Sequence, residues 1–117
     1  MDTSGLPEPV RRRIAQRSAL PPIEKVRALL HSYVADAEDL AEIRAELRRT
    51  ASTNAFFLRQ YLEALEAVLA EPQPPGTLLR LVEDDANWGI DHDQTDAGAA
   101  VFLGGVAATL RSVLADA

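Results

Sequence analysis

The sequence predicts an all-α protein, a small bundle of five or six helices folded as a single domain over residues 1–117. Three observations carry that expectation. Apolar residues recur at helical spacing in successive segments, and nowhere do they alternate with the period of a strand. Residues that start helices, and the Pro and Gly that stop them, punctuate those segments at their ends. A length of 117 residues with 47% hydrophobic content suits one buried core and is too apolar for a disordered chain. Aromatic residues make up only 5%, so Leu, Ala and Val must fill that core.

The elements follow in order. Residues 1–8 are polar and Pro-containing and read as a flexible end. Pro9 opens a helix at a position where its missing N–H is harmless. That helix runs through Arg17 and stops before Pro21-Pro22, with Val10, Ile14 and Leu20 as a thin apolar stripe. Its Arg11, Arg12, Arg13 and Arg17 read as a solvated face; no aromatic residue interleaves them, so nucleic-acid binding is not expected. Pro22 restarts the helix, and Val26, Leu29, Leu30, Tyr33, Val34 and Ala37 share its stripe. A break is expected near Asp36, with Asp36 or Asp39 as cap; Leu40, Ile43 and Leu47 then continue the pattern. Glu42 with Glu46, and Arg44 with Arg48, are expected on outward faces.

Ser52, Thr53 and Asn54 are cap-type residues ahead of Phe57, Leu58, Tyr61, Leu62, Leu65, Val68 and Leu69, the strongest helical stripe in the chain. The Pro-rich stretch 71–76 ends that helix and reads as a short rigid connector. Thr77 is the expected cap of a further helix, built on Leu78, Leu79, Leu81, Val82 and Ala86 and stopping at Gly89. Thr95 or Asp96 caps the last helix, whose apolar positions are Val101, Phe102, Leu103, Val106, Leu110, Val113 and Leu114. Gly98, Gly104 and Gly105 weaken it by roughly 1 kcal/mol each relative to Ala, unless they admit a neighbouring helix.

The charge is concentrated. Residues 71–96 hold Arg80 against Glu71, Glu83, Asp84, Asp85, Asp91, Asp93 and Asp96, a local −6 that equals the net charge of the whole chain. The same stretch holds Trp88, the one Trp. A nearly neutral scaffold with one acidic district points to a cationic partner or to a solvated face. Glu83, Asp84, Asp85, Trp88, Asp91, Asp93 and Asp96 are the candidate partner-binding residues. Trp88 has two readings, a plug closing the bundle end or an anchor at an interface.

Chemistry is harder to find. Asp91, Asp93 and Thr95 match positions 1, 3 and 5 of a calcium loop, but Asp96 stands where Gly is needed and Phe102 where the bidentate Glu is needed. His31 and His92 belong to no zinc motif, His92 reading as a loop residue and His31 as a helix-edge residue. There is no Cys, hence no disulfide, thiolate site or Cys nucleophile. The serines lack a nucleophile-elbow context, and no Gly-rich phosphate loop occurs. No enzyme activity, cofactor or metal is expected. No apolar run approaches the ~18 residues of a membrane span, and Ile14-Ala15-Gln16-Arg17 is no signal-peptide core, so the expected location is the cytoplasm, with no membrane partner.

One family resemblance adds to this reading. Leu65-Glu66-Ala67-Val68-Leu69-Ala70-Glu71-Pro72 is followed by a Leu-rich helix, an acidic loop with one aromatic residue, Gly98 and an apolar last helix. Over roughly residues 40–115 this layout resembles the small helical immunity proteins of bacterial contact-dependent growth inhibition and related polymorphic toxin systems. The aromatic-His-Gln-Asp-Trp type segment of that family is absent, and Leu30-His31-Ser32-Tyr33 stands in its region. The resemblance implies a cytoplasmic inhibitor that covers the active site of a toxin domain, often a nuclease. A nuclease cleft is basic because it is made for phosphate, so an acidic district fits it. Two other readings stay open. One is an oligomeric module, such as a homodimer, paired through the glycines of the last helix. The other is a small-ligand binder with a pocket lined by Tyr33, Phe57 and Tyr61.

Overall fold

The computed structural model describes residues 20–90 and 93–116. The expected helix at residues 9–17, with its Arg cluster, lies outside the described residues, as do Asp91 and His92. The described chain is all-α and contains no strand. Its elements are α1 (Pro22–Tyr33), α2 (Leu40–Thr53), α3 (Phe56–Ala70), α4 (Thr77–Arg80) leading into a π-helical turn (Leu81–Asp85), and α5 (Asp96–Ala115).

Pro21 precedes α1 and its carbonyl accepts from Glu24 and Lys25, so the missing N–H of Pro22 leaves no bond unmade. The break at Asp36 is present, and Asp39 is the cap of α2, its side chain accepting from the Glu42 N–H at 2.9 Å. Ser52 and Thr53 do not start α3. They complete α2, their hydroxyls donating back to the carbonyls of Arg49 and Thr50. Asn54 makes the turn instead, with Oδ1 accepting from the Phe56 N–H at 3.0 Å.

The core is continuous across all the helices. Val26, Leu29, Leu30 and Val34 meet α3, whose Leu58, Tyr61, Leu65 and Val68 are buried, as its sequence pattern predicts; Leu62 is partly buried. α5 packs on α3, α2 and α4, inserting Leu103, Val106, Leu110 and Val113. It is 20 residues long with a mean hydropathy of 1.6 over its most apolar window. It is therefore long and apolar enough to cross a membrane, contrary to the expectation that no run approaches that length. Its buried face makes it a core helix of this bundle.

Three apolar positions of the sequence pattern are exposed, Leu20 at 40% among them. Leu40 is 56% exposed and Val101 is 74% exposed, because both fall on the outer side of their helices. Conversely, Arg44 is drawn inward: its Nη2 donates to Ser112 Oγ at 2.7 Å across the α2–α5 contact. Arg48 reaches Asp116 at 3.7 Å, so two successive turns of α2 are tied to the last turn of α5.

Candidate functional site

The acidic stretch forms one end of the bundle, between α4 and α5. α4 begins at Gly76, whose φ of 85° is the left-handed conformation that favours glycine. Thr77, the expected cap, supplies no capping bond. The cap comes from Asp96 on the first turn of α5. Its Oδ2 accepts from the Gly76 N–H at 2.8 Å and its Oδ1 from the Leu79 N–H at 3.0 Å. These two main-chain bonds, helped by the nearby Arg80 charge and opposed by partial burial, hold the Asp96 carboxyl below its ordinary range. It is thus held as an ionised acceptor of these two bonds.

α4 does not run on to Gly89. After one turn it widens into the π turn, where the Ala86 N–H donates to the Leu81 carbonyl five residues back at 2.8 Å. Asn87 then takes a left-handed φ of 51°, which Asn tolerates better than most residues, and the helix ends there. Leu81, Val82 and Ala86 face the core, and Ile90 returns to it.

The predicted residues therefore divide by role. Asp85 is largely covered and turned towards α1, with Oδ1 3.0 Å from His31 Nε2 and Oδ2 3.5 Å from Arg27 Nε. Asp93 stays within its own loop, where Oδ1 accepts from the Thr95 hydroxyl, and Thr95 caps α5 by accepting from the Gly98 N–H at 3.2 Å. Trp88 is half-buried, its ring 5.3 Å from that of Phe102 and tilted by 37°, and its main-chain N–H donates to the Val82 carbonyl at 3.0 Å. It packs against the core at this end and stays partly exposed. Glu83 and Asp84 are exposed and have no ion pair or side-chain hydrogen bond among the described residues. Asp91 is outside the described residues.

Arg27 and His31 belong to this end, and sequence reasoning did not place them there. Asp85 lies 54 positions from His31, and no local spacing signals such a pairing. Among the described residues no group of three or more His, Cys, Asp or Glu side chains is arranged to hold a metal ion. No polar or charged side chain among them is buried. Phe57 and Tyr61, two of the three residues expected to line a ligand pocket, do line a cleft. Tyr33 and Tyr61 pack edge to face at 6.4 Å, and the cleft lined by Phe57, Tyr61, Leu20 and Lys25 is only about 80 Å³. Small-molecule sites run to roughly 300–1,000 Å³, and a more open cleft beside this one, lined by Phe56, Arg59, Gln60 and Glu63, measures about 500 Å³.

Comparisons with protein-family models, with curated proteins and with solved structures find no match to this chain.

Proposed function

We propose that the protein is a non-enzymatic binding domain that uses its acidic end to cover a basic protein partner, as an immunity-type inhibitor covers a toxin domain in the cytoplasm. The observation that carries this reading is the division of labour among the carboxylates. Asp85 and Asp96 are committed to holding the end together, while Glu83 and Asp84 project from the π turn with no internal partner among the described residues. Charges left free on a rigid turn cost little to bring to a cationic surface, and they steer its approach. Trp88, partly exposed, lies five residues beyond Glu83, amphipathic and already packed against Phe102, as a binding anchor needs to be.

The test is a partner captured from native lysate, followed by paired measurements on variants. Glu83→Lys with Asp84→Lys is expected to leave the melting temperature within a few degrees of wild type and to slow association about tenfold or more. Added salt is expected to weaken the wild-type complex, as screening lengths fall from about 10 Å at 0.1 M to about 3 Å at 1 M. Trp88→Ala is expected to weaken binding by ~2 kcal/mol while the chain stays folded. A double-Lys variant that binds with unchanged rate and salt dependence would reduce the acidic end to a solvated face.

A further inference from the structure

Independently of the acidic end, we infer that the open cleft along α3 is a binding site for a small aromatic zwitterion, a free aromatic α-amino acid. The cleft is lined by Phe56, Arg59, Gln60 and Glu63 and measures about 500 Å³, within the size range of small-molecule sites. These four positions recur at helical spacing, so one side of α3 carries them all. The other side of the helix sends Leu58, Leu65 and Val68 into the core, which holds this wall of the cleft rigid. Phe56 is half-buried, with its ring 5.4 Å from that of Phe57 at a tilt of 59°. That contact fixes an aromatic surface in the cleft, at the first turn of α3.

The charges name the ligand. Arg59 and Glu63 lie one turn apart and exposed, yet they form no ion pair with each other or with any other described residue. The order along the helix is one reason, because a basic residue ahead of an acidic one pairs less well than the reverse. Glu24 with Arg27, and Glu46 with Arg49, have the acid first and do pair, at 2.9 and 2.7 Å. The cleft therefore offers a guanidinium and a carboxylate side by side, each with its charge unmet. An α-amino acid carries a carboxylate and an ammonium on one carbon. Its carboxylate can meet the Arg59 fork through two hydrogen bonds while its ammonium meets Glu63. Its ring then lies against Phe56, in the offset or edge contact that aromatic pairs prefer. A ligand with only an anionic group would face Glu63 unpaired, and one with only a cationic group would face Arg59, so both are disfavoured.

The cleft is open and the ligand small, so a dissociation constant of about 0.1–1 mM is expected for phenylalanine. Calorimetry on the full chain compares phenylalanine with three relatives: hydrocinnamate lacks the ammonium, phenethylamine lacks the carboxylate, and leucine lacks the ring. Each relative is expected to bind at least ~10-fold more weakly than phenylalanine. Arg59→Gln and Glu63→Gln should each weaken phenylalanine by ~10-fold or more with an unchanged melting curve, since both side chains are exposed and make no internal ion pair. Glu83→Lys with Asp84→Lys should leave phenylalanine binding as it is, which separates this site from the acidic end. Absence of saturable binding up to about 10 mM phenylalanine overturns the inference. A relative that binds as tightly as phenylalanine overturns it by removing the need for both charges or for the ring. Phenylalanine binding that neither Gln variant changes also overturns it, by placing the ligand elsewhere on the chain.

Discussion

The Asp96 carboxylate accepts N–H groups 17 and 20 positions earlier in the chain, so one side chain ties the start of α5 to the start of α4. Its folded pKa lies below its unfolded one, which sets the sign of its pH dependence. Its contribution is complete above the ordinary carboxylate range, near pH 4, and is lost as pH falls through the lower folded value. Melting temperatures of wild type and Asp96→Asn are therefore expected to differ at pH 7 and to converge on acidification. A constant gap down to pH 2 would refute the assignment. Glycines on the same helix make a second residue-scale contrast. A Cβ on Gly98 would lie 2.1 Å from the Asp93 carbonyl oxygen, whereas Gly105 faces open space. Gly98→Ala is expected to destabilise by about 1–3 kcal/mol, the range for overpacking. Gly105→Ala is expected to stabilise by up to ~1 kcal/mol. Chemical denaturation of the two variants checks both signs.

At the scale of elements, α3 organises the bundle, because α1 packs on one side of it and α5 on another. Leu65 is fully buried on that helix, and Leu65→Ala is expected to cost ~2–5 kcal/mol in urea titration. A loss below ~1 kcal/mol would mean that neighbours collapse into the gap with unusual ease. α4 shows the opposite dependence. Four helical residues fall far short of the ~12 needed for an isolated helix, so its existence rests on Asp96 and on the packing of Leu81 and Val82. Sequence pattern alone extended this helix to Gly89, since Leu78, Leu81 and Val82 are equally compatible with an α-helix or a π turn. The choice lies in the Ala86–Leu81 bond and the left-handed Asn87, and both answer to where Ala86 and Trp88 must sit.

At the scale of the molecule, one apolar cluster takes in α1 through α5, and Trp88 packs against it from the acidic end. Unfolding is therefore expected to be a single cooperative event. Trp88 fluorescence and far-UV circular dichroism should give coincident thermal transitions. A fluorescence midpoint more than ~5 °C below the other would mean that the acidic end opens separately from the bundle.

The helical class, the break before Asp39, the Thr95 cap and the core stripe of α3 were legible in the sequence, because period, caps and breakers are local properties of neighbouring residues. The acidic district was legible for the same reason, as a run of composition. Which of its carboxylates are free was not. Asp85 answers to Arg27 and His31, and Asp96 to Gly76 and Leu79, and these partners meet only after the helices have packed. The outward turn of Val101 and Leu40 was hidden likewise, since an apolar residue on a stripe's margin faces core or water according to which neighbouring helix covers it. Spacing along the chain specifies each helix, but contacts between helices decide which of its side chains remain available to a partner.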